Sequence, residues 1–392
     1  MPATAIPAHV DVLIVGGGPV GGALALTLAD TGLIIALVEA KPEPVGDARA
    51  LALSHASREA LAPLGVWPAQ AATAIHTVHV SQQHTFGRVK LSHEDLDLPA
   101  LGYVMPYAAL ARAMHQQLLA NPRIHYLPAT RVGALKLLDG YAAATLQREG
   151  SELLLTASLA VLAEGGKLLA SAGIAQDEHD YAQHALVAEV TVASPHKGRA
   201  FERFACDGPI ALLPIDGEHG CRYAAVWTRP SQDPLQAASL PDVDFLHELQ
   251  ARVGQRAGLL TAVGARASFP LRLKWAGAHH ARRLAVVGNA AQTLHPVAGQ
   301  GFNLGLRDAL ALARLIKATP TADLGGPAML ARYASLRRRD SLATVGFTDG
   351  LIRLFGLNLP PLKRARSYGM LALDSLKPLR RGFARRMVFG TP

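Results

Sequence analysis

The sequence predicts an α/β fold: a Rossmann-like dinucleotide-binding domain interrupted by a sheet-rich insert (α+β) and followed by a helical tail. Three observations carry that expectation. A strand, a glycine turn and a helix start succeed one another between Val12 and Glu39; a second strand ends in glycine at Leu284 to Gly288; and alternating strand-like pieces between Tyr181 and Pro270 stand between them.

Val12-Leu13-Ile14-Val15 is an apolar run, followed by Gly16, Gly18 and Gly21 at G-x-G-x-x-G spacing and by the helical run Ala23 to Ala29. Gly16 permits the sharp turn, Gly18 lets the backbone approach a pyrophosphate, and Gly21 lets the helix lie tight on the strand. The helix start then offers N–H groups and a positive dipole end to phosphates. A second apolar run, Leu33 to Val38, ends in Glu39, about 20 residues beyond the glycines, where a carboxylate accepts ribose hydroxyls; Lys41 stands just past it. Among 36 glycines the spacing alone is a weak signal, and the strand, helix and distal acid around it are what point to a dinucleotide. NAD and FAD fit equally well so far.

The 392 residues are 50% hydrophobic and 18% charged, which excludes a disordered chain and gives core enough for two domains. No charged and then apolar leader is visible, and the longest uncharged apolar run, Leu153 to Ala163, is too short to span a bilayer. Cys206 and Cys221 read as thiols of a reducing compartment, so the expectation is a cytoplasmic protein. The net charge of +9 is concentrated at the end: from Leu351 onward nine basic residues face one acid, Asp374, an excess of eight. No nucleic-acid-binding motif accompanies that charge.

Along the chain, Lys41-Pro42-Glu43-Pro44 breaks the pattern, and Arg49 in the following loop reads by default as solvent-facing. Ile75 to Val80 alternates like one strand; it puts His76 and His79 on opposite faces, and no Cys or carboxylate joins them and His84, so no metal site is expected. Ala108 to Leu119 reads as a helix with Leu110, Met114 and Leu118 on its core stripe and Arg112 off it. Strands are expected around His125, Leu135 and Ala143, then at Leu153 to Ala163, which runs into Glu164-Gly165. The insert holds strands at Ala185 to Val192, Ile210 to Leu213 and Tyr223 to Trp227 and a helix at Val243 to Val253. After Gly288, a loop with Gly299 and Gly301 enters a helix at Leu304 to Ala318, a second place suited to a polar or anionic group. Two such places suit one long cofactor. The expected organisation is a discontinuous nucleotide domain (1–75, 105–180, 271–345), a sheet-rich substrate domain (76–104, 181–270) and a basic helical region (346–392).

The first motif with Glu39, taken with Gly288-Asn289-Ala290-Ala291, Pro296, Gly299-Gln300-Gly301 and Asn303, resembles the single-component flavin aromatic hydroxylases. Asp47 to Leu53, Gly198 to Phe204, Gly208-Pro209, Leu212 to Pro214, Trp227 and Gly288 to Gly305 resemble more narrowly the ubiquinone-biosynthesis branch of that family. The resemblance implies FAD in a glutathione-reductase/aromatic-hydroxylase type of fold, with the first motif on the ADP half and the second on the ribityl chain and flavin ring. It makes Arg49 and Arg112 cofactor contacts, against the solvent-facing default for Arg49. Glu164 stands where the broader family has Asp, and Asn289 and Gln292 stand where it has Asp and His; the Asn carbonyl oxygen still accepts a ribityl hydroxyl.

The same resemblance implies NADPH or NADH as reductant, O2 as oxidant, a flavin C4a-hydroperoxide and a polyprenylated methoxyphenol as substrate. His295, beside Pro296, is the candidate base for the phenol. Phe347 to Phe355, Leu357 to Leu362 and Met370 to Leu376 mix apolar groups with the basic cluster, which suits an anionic membrane surface at its inner face or neighbouring ubiquinone-biosynthesis enzymes. Hydroxylation at another ring position, and a flavin-holding scaffold without turnover, remain open alternatives.

Overall fold

A computed structural model describes residues 6–44, 49–217, 219–231, 238–357 and 359–391; Asp47 and Ala48 of the expected Asp47–Leu53 motif lie outside them. The Val12–Val15 run belongs to the strand His9–Val15, which pairs in parallel with Ile35–Val38 on one side and Ser151–Leu162 on the other. Beyond these the sheet continues to Ile124–Leu127 and Leu284–Val286. Parallel strands covered on both faces must be apolar throughout, hence the unbroken runs in the sequence. The helices Pro19–Leu28, Tyr107–Ala120 and Gln300–Lys317 cover one face, burying Leu24, Leu37, Met114 and Leu312 together. On the other face Leu13 shares a core with Leu135 and Leu146 of the antiparallel ribbon Arg131–Leu137 and Ala142–Arg148.

A second eight-stranded sheet is built on two 17-residue antiparallel strands, Gln176–Val192 and Leu260–Ala276. The helix Asp242–Val253 closes its core with Phe245 and Leu249 against Tyr223 and Trp227. The expected limits at 180/181 and 270/271 fall inside these strands, whose ends at Gln176 and Ala276 pair with one another beside the first domain, where the Ala276 N–H donates to the Ala291 carbonyl.

Ile75 to Val80 is not one strand. Thr73–Ile75 joins a three-stranded sheet with Ala50–Ser54 and Gly102–Pro106, while Thr77–Gln82 joins the second sheet. The break is at His76, whose N–H turns to the Gly198 carbonyl and whose own carbonyl takes the His93 N–H, so alternation alone hid a change of sheet.

The tail boundary expected at 346 lies within a single helix, Pro327–Gly356; Pro360–Ser375 and Lys377–Phe389 follow, each with proline in its first turn. This pair packs Met370, Ala384 and Val388 on Val89 and Leu91 of the second sheet, and Arg380 grips Asp95 through two bonds of 2.9 Å.

A buried polar network joins the long helices to the loop after Leu284–Val286. Asp308 stands in the apolar stripe of Gln300–Lys317 and accepts from Gly288 N (3.2 Å), Gln292 Nε2 (2.7 Å) and Arg337 Nε (2.7 Å). Arg337 also reaches Asp340 (2.7 Å), which Arg307 approaches from the helix Gln300–Lys317 (2.8 Å), and Ser341 Oγ donates to Gln292 Oε1 (2.9 Å). Burial pushes the Asp340 carboxyl up, and the two guanidiniums outweigh it, holding it below the usual carboxylate range. Removing one partner leaves a buried uncompensated charge. Asp308→Ala should therefore cost about 3–5 kcal/mol in urea unfolding, whereas Asp139→Ala, at an exposed pair with Arg282, should cost under about 1 kcal/mol.

Candidate active site

The glycine turn opens into a polar cleft of about 560 Å³ lined by Gly16, Gly18, Glu39, Lys41, Arg49, Tyr107, His115, Tyr126, Arg131, Glu164 and Asn289 among others. Gly16 lies at φ +111°, and a Cβ there would meet the Ala163 carbonyl carbon at 2.7 Å. At Gly21 it would meet the Gly16 carbonyl oxygen at 2.0 Å, so the protein itself demands both glycines. Gly18 differs: its Cβ would find only Tyr107 Oη, at 3.8 Å, and nothing in the protein requires glycine there. The next helix begins with proline at N1, with neither a side-chain cap nor an acid in its first turn, which leaves its positive end to a ligand. An FAD pyrophosphate fits that arrangement.

Glu39 is placed by backbone donors, accepting from Gly17 N (2.7 Å) and Lys41 N (3.0 Å). Behind it Tyr126, bonded to His115 Nδ1 at 2.9 Å, is pushed up to about 12 by burial and by the Glu39 charge, and so remains a neutral phenol. Arg49 is exposed and lines the cleft, its guanidinium 5.7 Å from the Tyr107 ring centre, so it meets both solvent and the cleft. Arg112 is exposed and outside the cleft: Tyr107, Ala111 and His115 recur every fourth residue along the lining face, and Arg112 is turned about 100° from Ala111. Tyr107, His115 and Tyr126 went unnoticed in the sequence because each alone resembles an ordinary core aromatic or surface histidine.

Glu164 turns its carboxylate back onto its own turn, accepting from Gly166 N (3.1 Å), Lys167 N (2.9 Å) and Leu168 N (3.3 Å). The longer side chain reaches this far, and a ligand at Gly165 would meet mainly backbone.

The second motif spans two environments. Asn289 is exposed and lines the polar cleft, and Gly288, at φ +64°, packs against Val20 of the nucleotide helix. Ten residues on, Val297, Ala298 and Gln300 line an apolar cavity of about 520 Å³ between the second sheet and the last three helices. Gly299, at φ +59°, would set a Cβ 2.9 Å from that of Ala52, whereas a Cβ on Gly301 would meet nothing within 4 Å. Pro296 is exposed, and Gln300 donates to the Ala298 and Met387 carbonyls at 3.3 Å. Asn303 does not line the cleft: its amide accepts from Ser54 N (2.9 Å) and Ser57 Oγ (2.7 Å) and donates to the Ala52 (3.0 Å) and Gly299 (2.8 Å) carbonyls. All four hydrogen-bonding positions of the amide are filled, so Asn303 acts as a staple for the loop.

His295 is 1% exposed, and burial lowers its pKa to about 4. Its Nδ1 accepts the Val297 N–H (3.2 Å), which places the proton of the neutral ring on Nε2, an atom with no hydrogen-bond partner among the described residues. In that tautomer the ring has no lone pair to offer a phenol, contrary to the base role expected from sequence.

A family model described as an FAD binding domain matches residues 9–348. Ubiquinone hydroxylase UbiL of Rhodospirillum rubrum is 36% identical over 96% of this chain and 88% of its own length. The chain belongs to the FAD-dependent ubiquinone hydroxylases. A second member, the 3-demethoxyubiquinol 3-hydroxylase of Escherichia coli, is 32% identical over 95% of this chain and 96% of its own length. The fold is also that of the p-nitrophenol 4-monooxygenase PnpA of Pseudomonas putida, with a TM-score of 0.79 at 17% identity over 98% of this chain and all of the other. As a member of this family the protein is an FAD-dependent aromatic monooxygenase that works with NAD(P)H and O2.

Two outcomes test the site. Gly18→Ala should weaken FAD at least about tenfold in a fluorescence titration while leaving unfolding within about 0.5 kcal/mol, and Gly21→Ala should lose about 1–3 kcal/mol of stability. For His295, the unfolded chain binds a proton near pH 6.5 and the folded one only near 4. Its contribution is complete above pH 6.5 and falls by about 3 kcal/mol as the pH drops to 4; His295→Asn should flatten that part of the stability profile.

Proposed function

We propose that the protein hydroxylates the ring of a polyprenylated methoxyphenol in ubiquinone biosynthesis, with the ring and the first prenyl units held in the apolar cavity. The observation that carries this reading is the position of that cavity. One loop, Gly288 to Gln300, borders the polar cleft at Asn289 and the cavity at Val297, Ala298 and Gln300. Gly16, Gly18, Glu39, Arg49 and Asn289 would hold the cofactor along the cleft, with the Gly288 to Gln300 loop within its reach. When bound, FAD takes a hydride from NAD(P)H and activates O2.

The chain supplies position and dryness. Val80, Leu91, Phe204, Phe347, Leu351 and Phe355 wall the cavity and exclude water from the ring. The last two helices contribute Leu362, Met370, Phe383 and Met387, so the segment that encloses the substrate also bears the basic excess. Outside, Leu357, Leu359, Tyr368, Leu371, Leu376 and Leu379 are exposed near Lys363, Arg364 and Lys377. Apolar groups mixed with cations suit the inner face of an anionic bilayer, where a prenylated phenol resides. Part of the charge is engaged internally, since Arg380 and Arg381 pair with Asp95 and Asp97 and Arg353 with Asp349. Among the described residues no helix is long and apolar enough to cross a membrane, so the reading is peripheral attachment.

The test is to follow NADPH, NADH and O2 consumption by the FAD-loaded protein with a short-chain 2-prenyl-6-methoxyphenol in anionic or neutral vesicles, with the product identified. Phenol-stimulated consumption, a hydroxylated ring and higher rates on anionic vesicles are the expected result; flavin binding without phenol stimulation would overturn the reading in favour of a scaffold.

A further inference from the structure

The walls of the apolar cavity are interrupted by one carboxylate. Glu202 lies on the strand Arg199–Phe204 and lines the cavity, to which its partly accessible side chain is turned. Its neighbours Phe201 and Arg203 point to the opposite face, Phe201 stacking on His79 and Arg203 reaching Ser81 and the Arg252 carbonyl. Val80 and Ala211 lie in register with Glu202 on the flanking strands, and neither is polar. Across the cavity stand Phe347 and Leu351, Phe383 and Met387. Arg366 is the other charged residue lining it, and its guanidinium is bound to the Leu354 and Leu357 carbonyls.

Glu202 also faces the flavin-side loop, where the nearby Ala298 backbone N–H favours its charged form. Ala298 sits in the left-handed region at φ +60°, unusual for a residue with a Cβ. A carboxylate in an apolar wall is costly unless a ligand or a proton compensates it.

We propose that Glu202 is the proton acceptor for the phenol hydroxyl in the hydroxylation reaction. This rests on the cavity being the ring-binding site. The phenol O–H donates to the Glu202 carboxylate, and its proton moves to that carboxylate as the ring gains electron density and takes one oxygen atom from O2. As the O–O bond breaks, the substituted ring carbon loses its hydrogen as a proton to solvent while the new oxygen takes one from solvent, aromaticity returns, and Glu202 gives its proton back to the phenol oxygen. The second oxygen atom leaves as water, with the NAD(P)H hydride and one solvent proton supplying its reduction. Burial in the apolar wall pushes the carboxyl up to about 8, against the smaller opposing effect of the Ala298 N–H. That brings it toward a phenol's pKa of about 10, so the transfer is far less uphill than to an ordinary glutamate. The acceptor form is lost as the pH falls below about 8.

The experiment compares wild-type holoenzyme with Glu202→Gln and Glu202→Asp in the prenylphenol assay between pH 6 and 9, with flavin content measured on each. Product formation in E202Q should fall at least about 100-fold, with half-saturating phenol within about twofold of wild type. The wild-type rate should rise with pH to a midpoint near 8, E202Q should lack that limb, and E202D should regain part of it. A bound prenylated nitrophenol gives a readout independent of turnover: its ionised absorbance should be lower in E202Q than in wild type at and above the midpoint, where Glu202 is a carboxylate, and the two should converge below it. Hydroxylation and a pH limb that survive E202Q would overturn the role of Glu202 alone. Absence of phenol hydroxylation by the wild type would overturn the reading of the cavity and the role of Glu202 together.

Discussion

One buried carboxylate fixes the loop on which both halves of the site depend. Asp308 accepts from the Gly288 backbone, the Gln292 side chain and Arg337, so the start of the loop, its middle and the long helix Pro327–Gly356 meet at a single group. Asn303 does the same at the far end, joining Gly299 to Ala52 and Ser54. Low dielectric makes each of these bonds strong and the loss of any partner costly, so the loop has one arrangement rather than several.

That arrangement separates two chemistries. The cleft presents backbone N–H groups, a helix start and charged side chains, which suit a pyrophosphate and ribose. The cavity presents aliphatic and aromatic side chains with Glu202 in its wall, which suits a phenol that carries a prenyl chain. Because the loop borders both, a cofactor in one can act on a ring in the other. The C-terminal helices complete the cavity, so the basic tail is part of its wall and not an appendage to the fold.

Legibility in the sequence followed the range of the interaction. The glycines and Glu39 were readable because the turn, the strand and the acid lie within 30 residues and each has a local steric or hydrogen-bonding reason. The broken strand at His76 was not readable, since its cause is the carbonyl of Gly198, far along the chain. Asp308 left a faint signal, an acid in the apolar stripe Leu304, Asp308, Leu312, but its partners at Gln292 and Arg337 could not be named from it. Arg112 was placed by resemblance, and helical geometry turns it away from the cleft where Tyr107 and His115 stand.

The sequence by itself determined the α/β class, the dinucleotide motif, the inserted sheet and the concentration of charge in the tail. These are properties of short windows, where period, glycine spacing and composition act directly on the backbone. Only the tertiary structure decided which side chains face the ligand and in what state. It gives His295 a proton on Nε2 and turns Glu164 onto its own backbone, and it sets Glu202 in an apolar wall. The reason is physical: a side chain's partners, desolvation and proton affinity come from residues that are distant in the chain and adjacent only once the sheets and helices have packed.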